Sequence, residues 1–270
     1  MLQKVAGIIM ILICGFAFSQ NKSFVYELKF NVNPPKDSIS KETFILDVID
    51  GKSMFRTLRE KKADSIAHLT KRFSFTTTSF KDFQTVSKDL KEKEIPKFIN
   101  NFQKLFSIKI DEELKWKIAN ETEVSSSIKM QKATVKYGGR NWTAWFTNEI
   151  PLQEGPYVFH GLPGLITEIG DDQNDYAFTL VQIRNSDGKL YEKEKAFPIT
   201  WKQYEKLAKD YYSDPTREIN GKNSGTPAIK WVDEHGNELT PNFKEMNEKE
   251  KLEIRANNNP IELNHKVIYQ

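Results

Sequence analysis

Cysteine is almost missing from this chain: Cys14 is the only one in 270 residues, and it lies in the apolar stretch at the start. No disulfide framework, cysteine zinc set or downstream thiol nucleophile can be assembled. Histidine is scarce as well. His68, His160, His235 and His265 are scattered, with no His-x-x-x-His pair to open a zinc motif. Neither a Gly-x-Ser-x-Gly elbow nor a Ser-x-x-Lys run is present. No glycine-rich phosphate loop precedes a helix, and no metal or cofactor is expected. Past residue 20 there is no apolar run of about 20 residues that would span a bilayer as a helix. Charge of one sign is lacking too. Forty Lys and Arg face 37 Asp and Glu, a formal net charge of +3, too little over this length to grip nucleic acid. Among so many carboxylates, no catalytic pair stands out.

What is present begins with a leader. Lys4 supplies a positive start, Val5 to Phe18 an apolar core, and Ala17-Phe18-Ser19 the small residues of a cleavage site before Gln20. Residues 1–19 are therefore expected to be a signal peptide. Ile13 stands before Cys14 where a lipoprotein signal needs a small residue, so export without a lipid anchor is expected, to the periplasm or the outer membrane. An exported chain without cysteine must draw its stability from its core. Residues 20–270 show no repeat, low-complexity linker or composition break, and read as one domain.

Phe24 to Val32 alternates apolar and polar residues, the period of a strand with one buried face. Thr43 to Ile49 and Met54 to Thr57 flank Asp50-Gly51, a hairpin turn pair. A helix is expected where Ile95, Phe98, Ile99, Phe102, Leu105 and Phe106 share a helical face with Pro96 in the first turn. Strands are predicted at Leu114 to Ile118, at Gln131 to Tyr137 and Arg140 to Phe146 around Gly138-Gly139, and at Leu165 to Ile169 and Tyr176 to Ile183. The polar loop Asp171 to Asp175 reads as a surface turn. Thr200 with Gln203 three residues on forms a capping box for a helix that stops at Asp214-Pro215. Ile229 to Val232 suggests an edge strand, and Phe243 to Ala256 a charged helix. Phe73 to Phe80 and Ile66 to Leu69 have no decisive period. The fold expected is α+β: a large curved antiparallel sheet or part-barrel with helices packed against it.

The sharpest local signal is His160-Gly161-Leu162-Pro163-Gly164-Leu165-Ile166. Pro163 presets the second position of a β-turn, and Gly164 would supply the positive φ that a type II turn needs next. Gly161, Pro163 and Gly164 thus form a structural corner, one that also lets another backbone approach closely. Its only titratable neighbour is His160.

Gly161 to Ile166 resembles the signature that names the GLPGLI family, envelope proteins of Bacteroidetes-type bacteria whose biochemical function is not established. Trp116-Lys117-Ile118, Gln131-Lys132-Ala133, Gly139 to Phe146, Glu149-Ile150-Pro151 and Gly155-Pro156 stand in that family's order. Asn257 to Leu263 resembles its closing motif. Many members carry a Gly-Tyr-x-Cys run where this chain has Ser127-Ile128-Lys129-Met130, so that thiol is missing here. The resemblance implies kinship and an envelope location, and no catalytic residues.

Trp116, Trp142, Trp145 and Phe146 fall on neighbouring predicted strands and would line a groove for an apolar ligand, with His160 beside it. The alternative is a packed core, because aromatic residues fill half-buried strands. The function expected is a non-catalytic binding or accessory module of the envelope, with an apolar small molecule or an outer-membrane protein as partner. The competing readings are an exported hydrolase with a site assembled from distant residues around His160, and a structural partner of an outer-membrane transporter.

Overall fold

A computed structural model describes residues 21–31, 39–70, 84–101, 104–125, 127–193, 196–220, 231 and 233–270. The segment expected to be a signal peptide, Asn33-Pro34-Pro35 and Phe73 to Phe80 lie outside the described residues.

The protein is α+β, built on one twelve-stranded, mostly antiparallel sheet. The strands are β1 (Lys22–Asn31), β2 (Ile39–Ile49), β3 (Lys52–Thr57), β4 (Val86–Asp89), β5 (Pro96–Asn101), β6 (Lys104–Lys109), β7 (Lys117–Ser125), β8 (Ile128–Tyr137), β9 (Arg140–Thr147), β10 (Leu165–Asp171), β11 (Tyr176–Asn185) and β12 (Phe197–Pro198). They lie in the order β12-β6-β5-β4-β3-β2-β1-β11-β10-β9-β8-β7. Among the described residues three helices accompany them: α1 (Leu58–Thr70), α2 (Trp201–Ser213) and α3 (Phe243–Ala256).

The hairpins follow from their turn residues. Asp50 (φ 52°) and Gly51 (φ 84°) join β2 to β3, and Gly138 (φ 63°) and Gly139 (φ 80°) join β8 to β9, the left-handed pairs that suit the twist of a tight hairpin. Thr200 caps α2 in a full capping box with Gln203, and Asn242 caps α3. α1 is the helix the sequence left undecided at Ile66 to Leu69. It starts directly after β3, where Glu60 N–H donates to Thr57 Oγ1 (3.1 Å) and Thr57 N–H donates to Glu60 Oε2 (3.2 Å).

Two expectations about helices and strands fail. The helix expected over Ile95 to Phe106 is the hairpin β5–β6, with Ile99 opposite Phe106. Its residues fit both periods, and tertiary cover decided: Phe98 and Ile99 point to opposite faces yet are 6% and 1% exposed, the signature of a strand buried on both sides. Pro96 is tolerated because it is the strand's first residue. The strand predicted at Leu114 begins only at Lys117 and runs on to Ser125 as the exposed edge. Of the edge strand expected at Ile229 to Val232, only Trp231 is described, and it is not in a strand.

The sheet is strongly curved. β5 and β8 are eight strands apart in the order, about 38 Å across a flat sheet at ~4.8 Å per strand. Yet Lys97 of β5 and Tyr137 of β8 both reach the carboxylate of Glu262, at 2.6 and 2.7 Å. Only a sheet rolled into a part-barrel permits this. Its concave face carries Phe24, Tyr26 and Leu28 of β1, Phe44 and Leu46 of β2, Phe55 of β3, and Trp142, Ala144 and Phe146 of β9, all buried in one cluster. α2 packs over β5 and β6 against Ile99 and Ile108. On the convex side, beneath α1, Arg56 donates to Asp64 (2.8 Å) and to the carbonyls of Tyr191 and Leu190, and Asp47 accepts from Lys61 (2.8 Å).

Candidate functional site

The open mouth of the part-barrel is filled from two directions. The first filler is the segment between β9 and β10. Tyr157, Val158, Phe159 and Leu162 are buried in the main cluster, so this connection is a plug. Beyond one isolated bridge between Glu154 and His160 it has no strand ladder, and side chains satisfy those of its carbonyls that the backbone leaves over. Lys88 Nζ, projecting from β4, donates to the carbonyls of Gly155 (2.7 Å) and Tyr157 (3.0 Å) and pairs with Glu154 at 2.9 Å. Burial lowers the pKa of Lys88, and Glu154 offsets this only in part. Tyr26 donates to the Ile166 carbonyl at 2.6 Å.

The corner of the sequence is the exit of this plug, and its glycines act differently from expectation. Gly161 has the positive φ (89°) with open space around it, whereas Gly164 lies outside that region. A Cβ on Gly164 would meet the Thr147 carbonyl oxygen at 2.0 Å. The corner is therefore no type II turn with Gly164 in its left-handed position. Gly164 is required because two backbones touch there, which is the second of the two roles glycine can fill.

The second filler is the C-terminal segment after α3. Arg140 anchors it, donating to Asn259 Oδ1 (2.7 Å) and to the carbonyls of Pro260 and Ile261, while pairing with Asp171 (2.6 Å) and Asp175 (3.0 Å). The loop expected to be a surface turn thus places two of its carboxylates inside, around one guanidinium. Tyr176 OH donates to the Asn259 carbonyl. Glu262 follows at the centre: it accepts from Lys97, Tyr137 and Tyr157. Burial alone would push the Glu262 carboxyl up, but Lys97 and the two tyrosine hydroxyls outweigh it and hold the group below its ordinary range.

Between the concave face, α2, α3 and this tail lies a cavity of about 300 Å³. Its walls include Phe30, Tyr176, Trp201, Tyr204 and Tyr211, with Lys97 and Glu262 on one side. Trp201 is fixed from two sides: the His265 ring stacks on it at 4.1 Å between centroids, and Lys97 Nζ lies 5.5 Å from its centre.

The residues singled out in the sequence occupy other places. Trp142 and Phe146 are 1% and 0% exposed. Trp142 packs on Phe159 at 4.8 Å and donates to the Tyr137 carbonyl. Trp116, half-buried, also touches Phe159 (6.4 Å) and donates to the His160 carbonyl at 2.8 Å. His160 is half-buried, its Nδ1 is 2.8 Å from the Val158 carbonyl, and burial lowers its pKa. Trp145 lies on the opposite face near Lys132, 5.8 Å from the ring. The structure gathers Trp116, Trp142 and His160 around the plug, leaves Trp145 outside, and seats none of the five against the cavity. Sequence reasoning missed Lys97, Trp201 and Glu262 as its walls. The available signals were the apolar stripe of α2 and the acidic residue within the polar closing motif.

Comparison with known proteins adds similarity without chemistry. Residues 74–168 match the model of a family described as a protein of unknown function, Porph_ging. The match runs from before β4 into β10 and includes Lys88, Lys97 and the whole plug. No curated protein matches. Two solved structures of PNGF-II, in space groups C2 and P21, share the fold at a TM-score of 0.50 and 14% identity over 70% of this chain. This chain spans 32% and 33% of those chains, and at such identity the likeness concerns the fold alone. Among the described residues no helix is long and apolar enough to cross a membrane, and no group of three or more His, Cys, Asp or Glu is disposed to hold a metal ion.

Proposed function

We propose that this chain is an exported envelope protein of the GLPGLI type that binds a small, largely apolar molecule without transforming it. The observation that carries this reading is the cavity of about 300 Å³ with aromatic walls, at the lower end of the ~300–1,000 Å³ typical of small-molecule sites. Its polar groups support binding in place of chemistry. Lys97 and Glu262 satisfy each other at 2.6 Å, and both tyrosine hydroxyls near Glu262 donate to it. The carboxylate is held ionised and saturated, which suits a fixed wall and not a proton shuttle. The concave face, α2, α3 and the tail enclose the cavity, so its shape exists before any ligand arrives.

Native mass spectrometry of the protein purified from a bacterial periplasm tests this. The expected result is a discrete mass increment that organic extraction removes and that is absent from an Ala208→Phe variant. Ala208 is a buried residue of α2 lining the cavity, so the larger ring fills the space. A bare mass for both proteins, each equal to that of its own sequence, with no uptake of added apolar probes, would refute the binding reading.

A further inference from the structure

We infer that the convex face of the sheet around Trp145 is a platform for a neutral glycan, a chain of hexose or N-acetylhexosamine rings. This site is separate from the cavity and stands on the other face of the sheet. Trp142, Ala144 and Phe146 of β9 point into the concave cluster, so the residues between them point outwards. Trp145 is one of these. It belongs to neither apolar cluster and is half-buried, so part of a large ring faces solvent with no core to explain it.

The strand register gives the ring its neighbours. Lys132 of β8 and Glu168 of β10 lie directly opposite Trp145 on its two sides, and Thr179 of β11 lies opposite Glu168. The next outward row, ~6.8 Å along the strands, runs Thr134, Thr143, Gly170 and Ala177. These side chains are small, so the row is the floor of a shallow trough with the indole as one wall. Asn141, exposed and donating to Asp172 at 2.8 Å, stands on the far side. Rows ~6.8 Å apart on strands ~4.8 Å apart offer about the footprint of one sugar ring per strand crossed.

The unengaged polar groups select the occupant. Among the described residues, the hydroxyls of Thr134, Thr143 and Thr179 and the carboxylate of Glu168 have no hydrogen-bonding or ionic partner. Lys132 is already engaged: it pairs with Glu121 at 2.9 Å, and its Nζ lies 5.8 Å from the Trp145 ring centre. A cation approaching the indole would therefore meet that ammonium, and an anion would meet Glu168. An apolar molecule would cover Glu168 and return no hydrogen bond to it. A sugar answers every group at once. Its C–H face lies on the indole, and its hydroxyls donate to Glu168 and exchange hydrogen bonds with the threonines in either direction.

Calorimetric titration of the full protein with maltohexaose, cellohexaose and chitohexaose, each at millimolar concentration, tests this. At least one is expected to bind, with affinity falling at least about tenfold in Trp145→Ala, falling several-fold in Glu168→Ala, and largely restored in Trp145→Tyr. The melting temperature of each variant should stay within about 2 °C of the parent, because the changes are on the surface. If Trp145→Ala is unstable, Thr143→Val gives the same direction of loss. No binding of any of the three hexasaccharides would overturn the inference, and so would binding that Trp145→Ala leaves undiminished. Choline bound more tightly than every hexasaccharide, and lost in Trp145→Ala, would overturn it in favour of a cation. None of these outcomes bears on the cavity, which the Ala208→Phe comparison tests by itself.

Discussion

Replacing Gly164 by alanine separates two reasons a corner can need glycine. If φ were the reason, the cost would be the left-handed penalty of about 1–2 kcal/mol. Gly164 instead touches the end of β9: its added Cβ would lie 2.0 Å from the Thr147 carbonyl oxygen and 2.5 Å from its carbon. Both are backbone atoms, so no rotamer change relieves the contact, and β9 and β10 must part by about 1 Å before the atoms merely touch. Overpacking of this kind costs about 1–3 kcal/mol. Parting the strands also loosens the pairing of Leu165 with Thr147 and the bond from Leu165 N–H to the Ile150 carbonyl, each worth about 1 kcal/mol. The expected loss is about 3 kcal/mol or more, or roughly 6–12 °C in melting temperature for a chain of this size. Gly161, with φ 89° and no atom within 4 Å of its would-be Cβ, supplies the control. Gly161→Ala should cost only the conformational penalty, and Gly161→Asn less, because asparagine tolerates positive φ. Thermal unfolding followed by circular dichroism measures all three. A Gly164→Ala melting point within about 2 °C of the parent, or a larger loss for Gly161→Ala, would refute the close-approach argument.

The core also makes a prediction about alkaline unfolding. Burial raises the phenol pKa of Tyr26, Tyr137, Tyr157, Tyr176 and Tyr204, and that of Tyr269 to about 12. Their stabilisation is complete below the ordinary phenol pKa near pH ~10 and is lost as pH rises above it. Phenolate absorbance should therefore appear together with loss of the circular dichroism signal; early ionisation of all nine tyrosines in a folded chain would contradict their burial. On the acid side, Glu262 has a lowered pKa, so its contribution is complete above the ordinary carboxylate range near pH ~4.3 and falls as pH drops through the folded value. Glu262→Gln strands the Lys97 ammonium and should cost about 3–5 kcal/mol at neutral pH, and adding Lys97→Met should recover part of it. A double variant no more stable than the single one in urea unfolding would show that the pair does not act as one.

The sequence carried the local half of this fold. Asp50-Gly51, Gly138-Gly139 and the Thr200–Gln203 box each specify a turn or cap within four residues, and all appear where their chemistry puts them. β5 reads as helix in the sequence because strands buried on both faces lose the alternation that marks a strand, and the cover that α2 lays over Ile99 comes from far along the chain. The candidate site was legible only in its ingredients. Lys97 and Glu262 are 165 residues apart, and Arg140 draws partners from positions 171, 175 and 259. No spacing rule reaches such distances. The aromatics Trp116, Trp142, Trp145 and Phe146 stand out for clustering on neighbouring predicted strands, yet Trp142 and Phe146 belong to the core, while Trp201 on a plain amphipathic helix faces the cavity.

The segment matching the family model cannot make this site alone, and the strand order shows why. Residues 74–168 contain β4 to β9 and most of β10. In the sheet these form two groups, β6-β5-β4 and β10-β9-β8-β7, held apart by β3, β2, β1 and β11. The plug bridges the gap from within: Lys88 on β4 holds the carbonyls of Gly155 and Tyr157, while Trp142 of β9 packs on Phe159. Curvature is thus set by contacts between the two groups across the concave face, and the missing four strands supply the span. Glu262 then arrives from the tail to join Lys97 of one group with Tyr137 of the other. The GLPGLI stretch belongs to this closure. Its glycines and proline bring the plug out beside Thr147, and the plug and the tail meet at one carboxylate, where Tyr157 donates to Glu262.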